Sequence, residues 1–196
     1  MNAIVHTVVK LGGGVLPHVG HVDAVLTAIG AAACTHRLLV VPGGGPFADA
    51  VRDVDRRLTL SGDAAHWMAV LATDQYAHLL VSRMVHGSLV SDPSEIATAL
   101  DAGRVPVLAP SRWLREADPL PHTWDVTSDS IAAWVAGQVG ARTLVLIKPP
   151  GASGDDLVDP YFSRALPSNV TPVIVAADRL ELVRSALQNG PASVGS

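Results

Sequence analysis

Apolar residues follow two periods along this chain. Short unbroken runs rich in Val, Leu and Ile alternate with longer stretches whose apolar positions recur every three or four residues, the signatures of buried strands and amphipathic helices. The first run, Ala3–Leu11, opens directly onto Gly12-Gly13-Gly14. A helix is predicted over Val19–Ala33, with Val22, Val25, Leu26, Ile29 and Ala33 facing inward. Leu38–Val41 is the second strand; it stops at Pro42, and Gly43-Gly44-Gly45 follow. From about Phe47 the spacing of Ala48, Val51, Asp55 and Leu58 is helical. A long helix is predicted over Ala64–Met84, with Met68, Leu71, Ala72, Leu79 and Leu80 as its apolar positions, and a shorter one over Glu95–Ala102. Val105–Ala109 is a short strand, and the proline-broken Arg112–Thr123 reads as a loop or a short strand pair near the site.

Trp124–Asp129 opens a helix that runs to about Val139, with Thr127 or Ser128 as its N-cap. Thr143–Ile147 is a strongly apolar strand ending in Lys148, and Pro149–Asp156 is a loop of glycines and prolines. Val173–Ala176 and Asp178–Gln188 give a last strand and a last helix. Strands that alternate with helices predict an α/β fold, a three-layer αβα sandwich around a mainly parallel central sheet. The expected organisation is a single domain over residues 1–188 and a frayed tail over 189–196.

Composition narrows the function classes. Hydrophobic residues make up 48% of the 196, enough for a sizeable core. Charged residues are 16% and the net charge is −4, so a basic nucleic-acid footprint is absent. No uninterrupted apolar stretch has transmembrane length, and the N-terminus lacks the basic flank and apolar run of a signal peptide. The expectation is a cytoplasmic protein with no nucleic-acid or membrane partner. Cys34 is the single cysteine, so no intrachain disulfide forms; its apolar helical context predicts a small buried core residue.

The candidate chemistry gathers at strand ends. Lys10 with Gly12–Gly14, the Gly43–Gly45 loop, Asp125 and Asp129 at a helix start, and Lys148 all fall at carboxyl ends of predicted strands. In an open parallel sheet that edge is where ligands bind. A glycine loop between strand and helix lets backbone N–H groups approach an anion, although Pro-Gly pairs also make plain turns. Carboxylates at a helix start are often simple caps. Two such loops, two lysines and acidic groups on one edge suit phosphoryl transfer, which is mostly positioning and charge neutralisation. Neither a G-x-x-x-x-G-K-[ST] loop nor a G-x-G-x-x-G fingerprint is present. His18-x-x-His21, even with His6, has no acidic or cysteine partners nearby and makes a weak metal motif.

Val8–Gly14 (VVKLGGG), Val40–Arg52 (VVPGGGPFADAVR) and Asp125–Trp134 (DVTSDSIAAW) together resemble the amino acid kinase superfamily. Ala65–Leu80 (AHWMAVLATDQYAHLL), joined to the second and third of these, is similar to one branch of it, the aminomethylfuran methyl phosphate kinases of methanofuran-type cofactor synthesis. The resemblance implies ATP and Mg2+ as cofactors, a small-molecule phosphate substrate and a homodimer or larger homo-oligomer. It implies that Lys10 contacts the transferring phosphoryl group, and that Gly12, Gly13 and Gly14 cradle the ATP phosphates. It places the acceptor phosphate at Gly43, Gly44 and Gly45, and Lys148 at the leaving phosphate. Asp129 would organise the lysines or orient magnesium. Arg52, His66, Asp125 and Thr127 fall on the substrate side, and Asp74 is a weaker candidate for a substrate ammonium. Two places depart from the pattern: Gly14 stands where serine is common, and Lys148-Pro149-Pro150-Gly151 stands where Asp-x-Asp-Gly usually follows the strand. The alternative reading is therefore a ligand-binding or partner subunit on the same fold.

Overall fold

A computed structural model describes residues 5–154 and 157–189. Ala3, Ile4, Asp155, Asp156 and the predicted tail from residue 190 onward lie outside the described residues. The elements are β1 (Thr7–Leu11), a 3-10 turn (Gly13–Val15), α1 (Val19–Ala33), β2 (Leu38–Pro42), α2 (Gly45–Leu58) and α3 (Gly62–Arg83). Then come β3 (Gly87–Val90), α4 (Pro93–Asp101), β4 (Val105–Leu108), α5 (Ser111–Ala117) and α6 (Ser128–Gln138). The described chain closes with β5 (Thr143–Lys148), α7 (Phe162–Ala165), β6 (Thr171–Ala176) and α8 (Leu180–Asn189). The six strands form one sheet in the order β3-β4-β2-β1-β5-β6, and every pairing is parallel.

A parallel strand between two helical layers is buried on both faces and reads as a continuous apolar run. β1, β2 and β5 are buried at every position. Successive side chains alternate between the two layers. Val9, Leu11, Val145 and Ile147 pack with α1, α3 and α8 in one core. Val8, Leu144 and Leu146 pack with α4, α5 and α6 in the other. The same alternation carries Lys10 and Lys148 onto the face that α6 covers. The site is thereby set before any polar contact is considered. Two neighbouring strands each end in a lysine, and both lysines lie beneath the first turn of one helix.

Several expectations change. β3 was not expected; its four residues are only half-buried at the centre and are too few to show a period. Arg112–Thr123 is not a strand pair, because α5 occupies its first half. The cap of α5 comes from a distant residue: Asp74 on α3 accepts from both the backbone N–H and the hydroxyl of Ser111. On α3, Met68 and Leu71 are exposed, and the inward face is Ala65, Val70, Ala72, Thr73, Tyr76, Ala77 and Leu80. Tyr76 is fully buried in the core. On α1 the inward residue is Ala32 in place of Ala33. Cys34 is exposed, since it caps the end of α1 after the buried stripe has turned away.

Candidate active site

At the carboxyl edge of β1 and β5, Asp129 joins the two lysines. Its Oδ1 lies 2.8 Å from Lys10 Nζ, and its Oδ2 accepts from Lys148 Nζ at 2.7 Å. All three side chains are buried. Burial alone would raise the Asp129 pKa, but the charges of Lys10 and Lys148 outweigh it and hold the carboxyl below its ordinary value. Lys148 is shifted down, first by burial and then by Lys10, with Asp129 partly opposing. The cluster carries two positive charges against one negative, which leaves it one positive charge for an anion.

A second buried carboxylate aims the first. Asp159 accepts from the Thr127 N–H at 2.9 Å, the Thr127 hydroxyl at 2.7 Å and the Ser130 N–H at 3.0 Å, and also from the Ser130 hydroxyl. Those donors form the start of α6, where unpaired N–H groups favour a negative partner. Thr127 is also the N-cap, its hydroxyl accepting from the Asp129 N–H. Asp159 thus pins the turn from which Asp129 projects.

The two glycine loops lie against each other. A Cβ on Gly13 would stand 2.0 Å from Gly45 N, and one on Gly43 would stand 2.5 Å from Gly13 N. No side chain fits there, so part of the glycine requirement is backbone packed on backbone. Gly45 also holds a positive φ of 54°. A Cβ on Gly14 would lie 2.6 Å from Pro149 Cγ. The two departures from the superfamily pattern are thus one steric fact, because Pro149 fills the space a serine at position 14 would need.

Beside the loops opens a cavity of about 440 Å³. Gly13, Gly14, Gly44 and Gly45 border it together with Thr127 and Ser128 at the start of α6. Arg52 and Asp55 line it further along α2, and Trp124 from the segment before α6. The Arg52 guanidinium pairs with Asp49 at 2.8 Å and lies 5.0 Å from the centre of the Trp124 ring. Trp124 Nε1 donates to Asp55 at 2.7 Å. His66 and His122 also line the cavity and stack with ring centres 4.0 Å apart. His122 Nδ1 lies 2.6 Å from Asp63, and its Nε2 lies 2.9 Å from Asp118. A neutral imidazole donates through one nitrogen only, so two carboxylates favour the charged ring. Its pKa is raised, chiefly by the bond to Asp63. That of His66 is lowered to about 4, by burial and then by His122.

A family model described as "Amino acid kinase family" matches residues 6–149. The chain belongs to the amino acid kinase family. A (5-(aminomethyl)furan-3-yl)methyl phosphate kinase from Methanocaldococcus jannaschii is 24% identical over 110 residues, which are 56% of this chain and 50% of that protein. The matched stretch thus spans about half the length of that relative. Uridylate kinase from Archaeoglobus fulgidus superposes with a TM-score of 0.69 at 18% identity, covering 94% of this chain and 96% of its own. UMP kinase from Ureaplasma parvum gives 0.70 at 15%, covering 94% and 95%. At such identities the solved structures show the fold.

Of the residues that the amino acid kinase pattern singles out, Lys10, Asp129 and Lys148 form one cluster. Gly12 and Gly43 stand behind it, the Gly12 N–H donating to Ile147 O at 2.9 Å and the Gly43 N–H to Leu11 O at 2.8 Å. Gly13, Gly14, Gly44, Gly45, Arg52, His66 and Thr127 border the cavity, whereas Asp125 is exposed and does not. Asp74 caps α5 and is absent from the cavity wall, which removes it as a partner for a substrate ammonium. Sequence reasoning passed over Asp55, His122 and Asp159. With both Asp129 oxygens held by lysines, that residue organises the lysines. Among the described residues no group of three or more His, Cys, Asp or Glu is arranged to hold a metal ion, His18 and His21 included.

Asp129→Ala would leave two buried ammonium groups without a counter-charge. It is expected to cost about 3–5 kcal/mol in urea denaturation, whereas a loss under about 1 kcal/mol would refute the bridge. The histidines give a pH prediction. Ring proton shifts followed by NMR should show His122 titrating above 6.5 and His66 staying neutral until about pH 4. The unfolded chain protonates His66 near 6.5, so acid between those values favours unfolding through it. His122 adds stability that is full below 6.5 and is lost as pH rises through its folded pKa.

Proposed function

We propose that this protein is an ATP-dependent phosphotransferase that moves the γ-phosphoryl group onto a phosphate monoester, with an aminomethylfuran methyl phosphate as the acceptor. The observation that carries the reading is the Lys10–Asp129–Lys148 cluster, at a strand edge where two glycine loops meet a cavity. Phosphoryl transfer asks the protein for positioning and for charge that is already in place. The residues fit a polyphosphate, since the cluster is one positive charge in excess and backbone N–H groups border it. Lys148 and the Gly12–Gly14 segment would hold the phosphates of Mg-ATP, which supplies the activated phosphoryl group. Gly44, Gly45 and the N-terminal turn of α2 hold the acceptor phosphate. Lys10 stands between the two and neutralises the equatorial oxygens in flight. An acceptor phosphate oxygen bonds to the γ-phosphorus as the bond to the bridging oxygen breaks, giving ADP and a diphosphate ester. The furan acceptor rests on the likeness to the Methanocaldococcus jannaschii kinase and on the Ala65–Leu80 segment.

A second reading, a ligand-binding subunit that does not turn over nucleotide, draws on Pro149 and Pro150. Two prolines remove two N–H donors from the donor side. Turnover separates the two. Lys10→Ala leaves Asp129 paired with Lys148, so the fold should persist. ADP release from Mg-ATP with candidate phosphate monoesters should fall by about 10²- to 10³-fold or more. Full activity in that variant would overturn the role of Lys10, and no ADP release from the unmodified protein with any monoester would favour the second reading.

A further inference from the structure

The acceptor cavity is electrically polarised along α2. Its glycine end lies at the N-terminus of that helix, beside the start of α6. Asp55 is ten residues past Gly45, about 15 Å further along the axis, in the last turn. Carbonyl groups without intrahelical partners collect there and favour a positive charge. The Asp55 carboxylate accepts only from neutral donors, the Leu60 N–H at 2.9 Å and Trp124 Nε1 at 2.7 Å. Among the described residues it has no cationic partner within ion-pair distance. Arg52, the nearest guanidinium on the same wall, is balanced by Asp49 and covered by Trp124. The His66 side chain, also on the cavity wall, has no hydrogen bond to the described residues and offers an imidazole lone pair. Behind it, His122 is matched against two carboxylates, Asp63 and Asp118. Arg56 and Arg57, exposed in the same last turn, both pair with Asp53. Asp55 is thus the charged group of the cavity wall without an ionic partner among the described residues, whereas the net-positive Lys10–Asp129–Lys148 cluster lies near Gly12, outside the cavity lining.

We propose that the distal end receives a primary ammonium group of the acceptor, with Asp55 as its charge partner and His66 as a second hydrogen-bond acceptor. The acceptor is then a zwitterion laid along α2, phosphate at the glycines and ammonium at Asp55. The inference rests on the phosphate-acceptor reading above and adds the residues that select the amine. Each carboxylate oxygen of Asp55 has one neutral donor and keeps lone-pair capacity for an ammonium N–H. The Trp124 edge holds the carboxylate in place, so little side-chain freedom is lost on binding.

The test is calorimetric titration at pH 7 without nucleotide, using 3-(aminomethyl)benzyl phosphate and 3-ethylbenzyl phosphate, which keeps the phosphate and lacks the ammonium, as probes of matched shape. The unmodified protein should bind the ammonium probe about tenfold more tightly. Asp55→Asn keeps an acceptor for Trp124 and should shrink the preference to under about threefold, through the ammonium probe alone. His66→Phe preserves the stack on His122 and should weaken that probe by about threefold. Thermal melts of both variants check that they fold. Equal affinity for the two probes overturns the proposal. So does an Asp55→Asn variant that keeps the preference, or a protein that binds neither probe. Failure of the phosphoryl-transfer reading shows separately, as binding of a probe without ADP release once Mg-ATP is added.

Discussion

One carboxylate between two buried lysines is the constraint on which the site depends. Two ammonium groups at the ends of adjacent strands would repel each other in a medium that screens them poorly. Asp129 removes that repulsion with two contacts of 2.8 and 2.7 Å and still leaves one positive charge in excess. The backbone fixes the arrangement from two sides. Strand alternation sends Lys10 and Lys148 to the same layer, and the start of α6 brings Asp129 down onto them. Asp159 secures that start through the N–H and hydroxyl groups of Thr127 and Ser130. Substitution at Asp159 would thus reach the lysines without touching them.

The glycine loops belong to the same economy of space. Gly13 and Gly43 admit no side chain because each faces the other loop's backbone, so the two loops are built as one unit. Pro149 extends the unit by filling the volume above Gly14. The Gly151 N–H donates to Asp178 at 3.2 Å, which ties the far end of that segment to the turn before α8. The departure from the amino acid kinase pattern at Lys148–Gly151 is therefore packed into the site and held at both ends.

Much of this was readable in the chain itself. The nine-residue stretch Ala3–Leu11 marked β1, apolar runs of four or five residues marked β2, β4, β5 and β6, and the lysines and glycines at strand ends marked the edge where the site lies. β3 escaped because Gly87-Ser88-Leu89-Val90 is short and follows a helix without a proline or a clear period. α5 escaped because its cap, Asp74, is 37 positions away in sequence, and prolines on both sides suggested a loop. Asp74, Asp55 and Asp159 look alike in the sequence. Only the fold shows that the first caps a helix, the second faces the cavity and the third is buried beneath α6. His122 lies in the segment read as a loop, and its partner Asp63 stands 59 positions earlier, so no local pattern joins them.

Family membership and the lysine cluster support the proposed phosphoryl transfer from a nucleotide, and the unpaired Asp55 on the cavity wall supports the proposed zwitterionic acceptor. The central claim is that the Lys10–Asp129–Lys148 edge, prolines included, takes the phosphates of the donor. Calorimetric titration of the protein with Mg-ATP, beside Lys148→Met, tests it most directly. The account predicts saturable binding of one nucleotide per chain that weakens by about tenfold or more in the variant, as expected for loss of a charge-assisted contact to phosphate. Absence of nucleotide binding, or equal affinity in the two proteins, would contradict it.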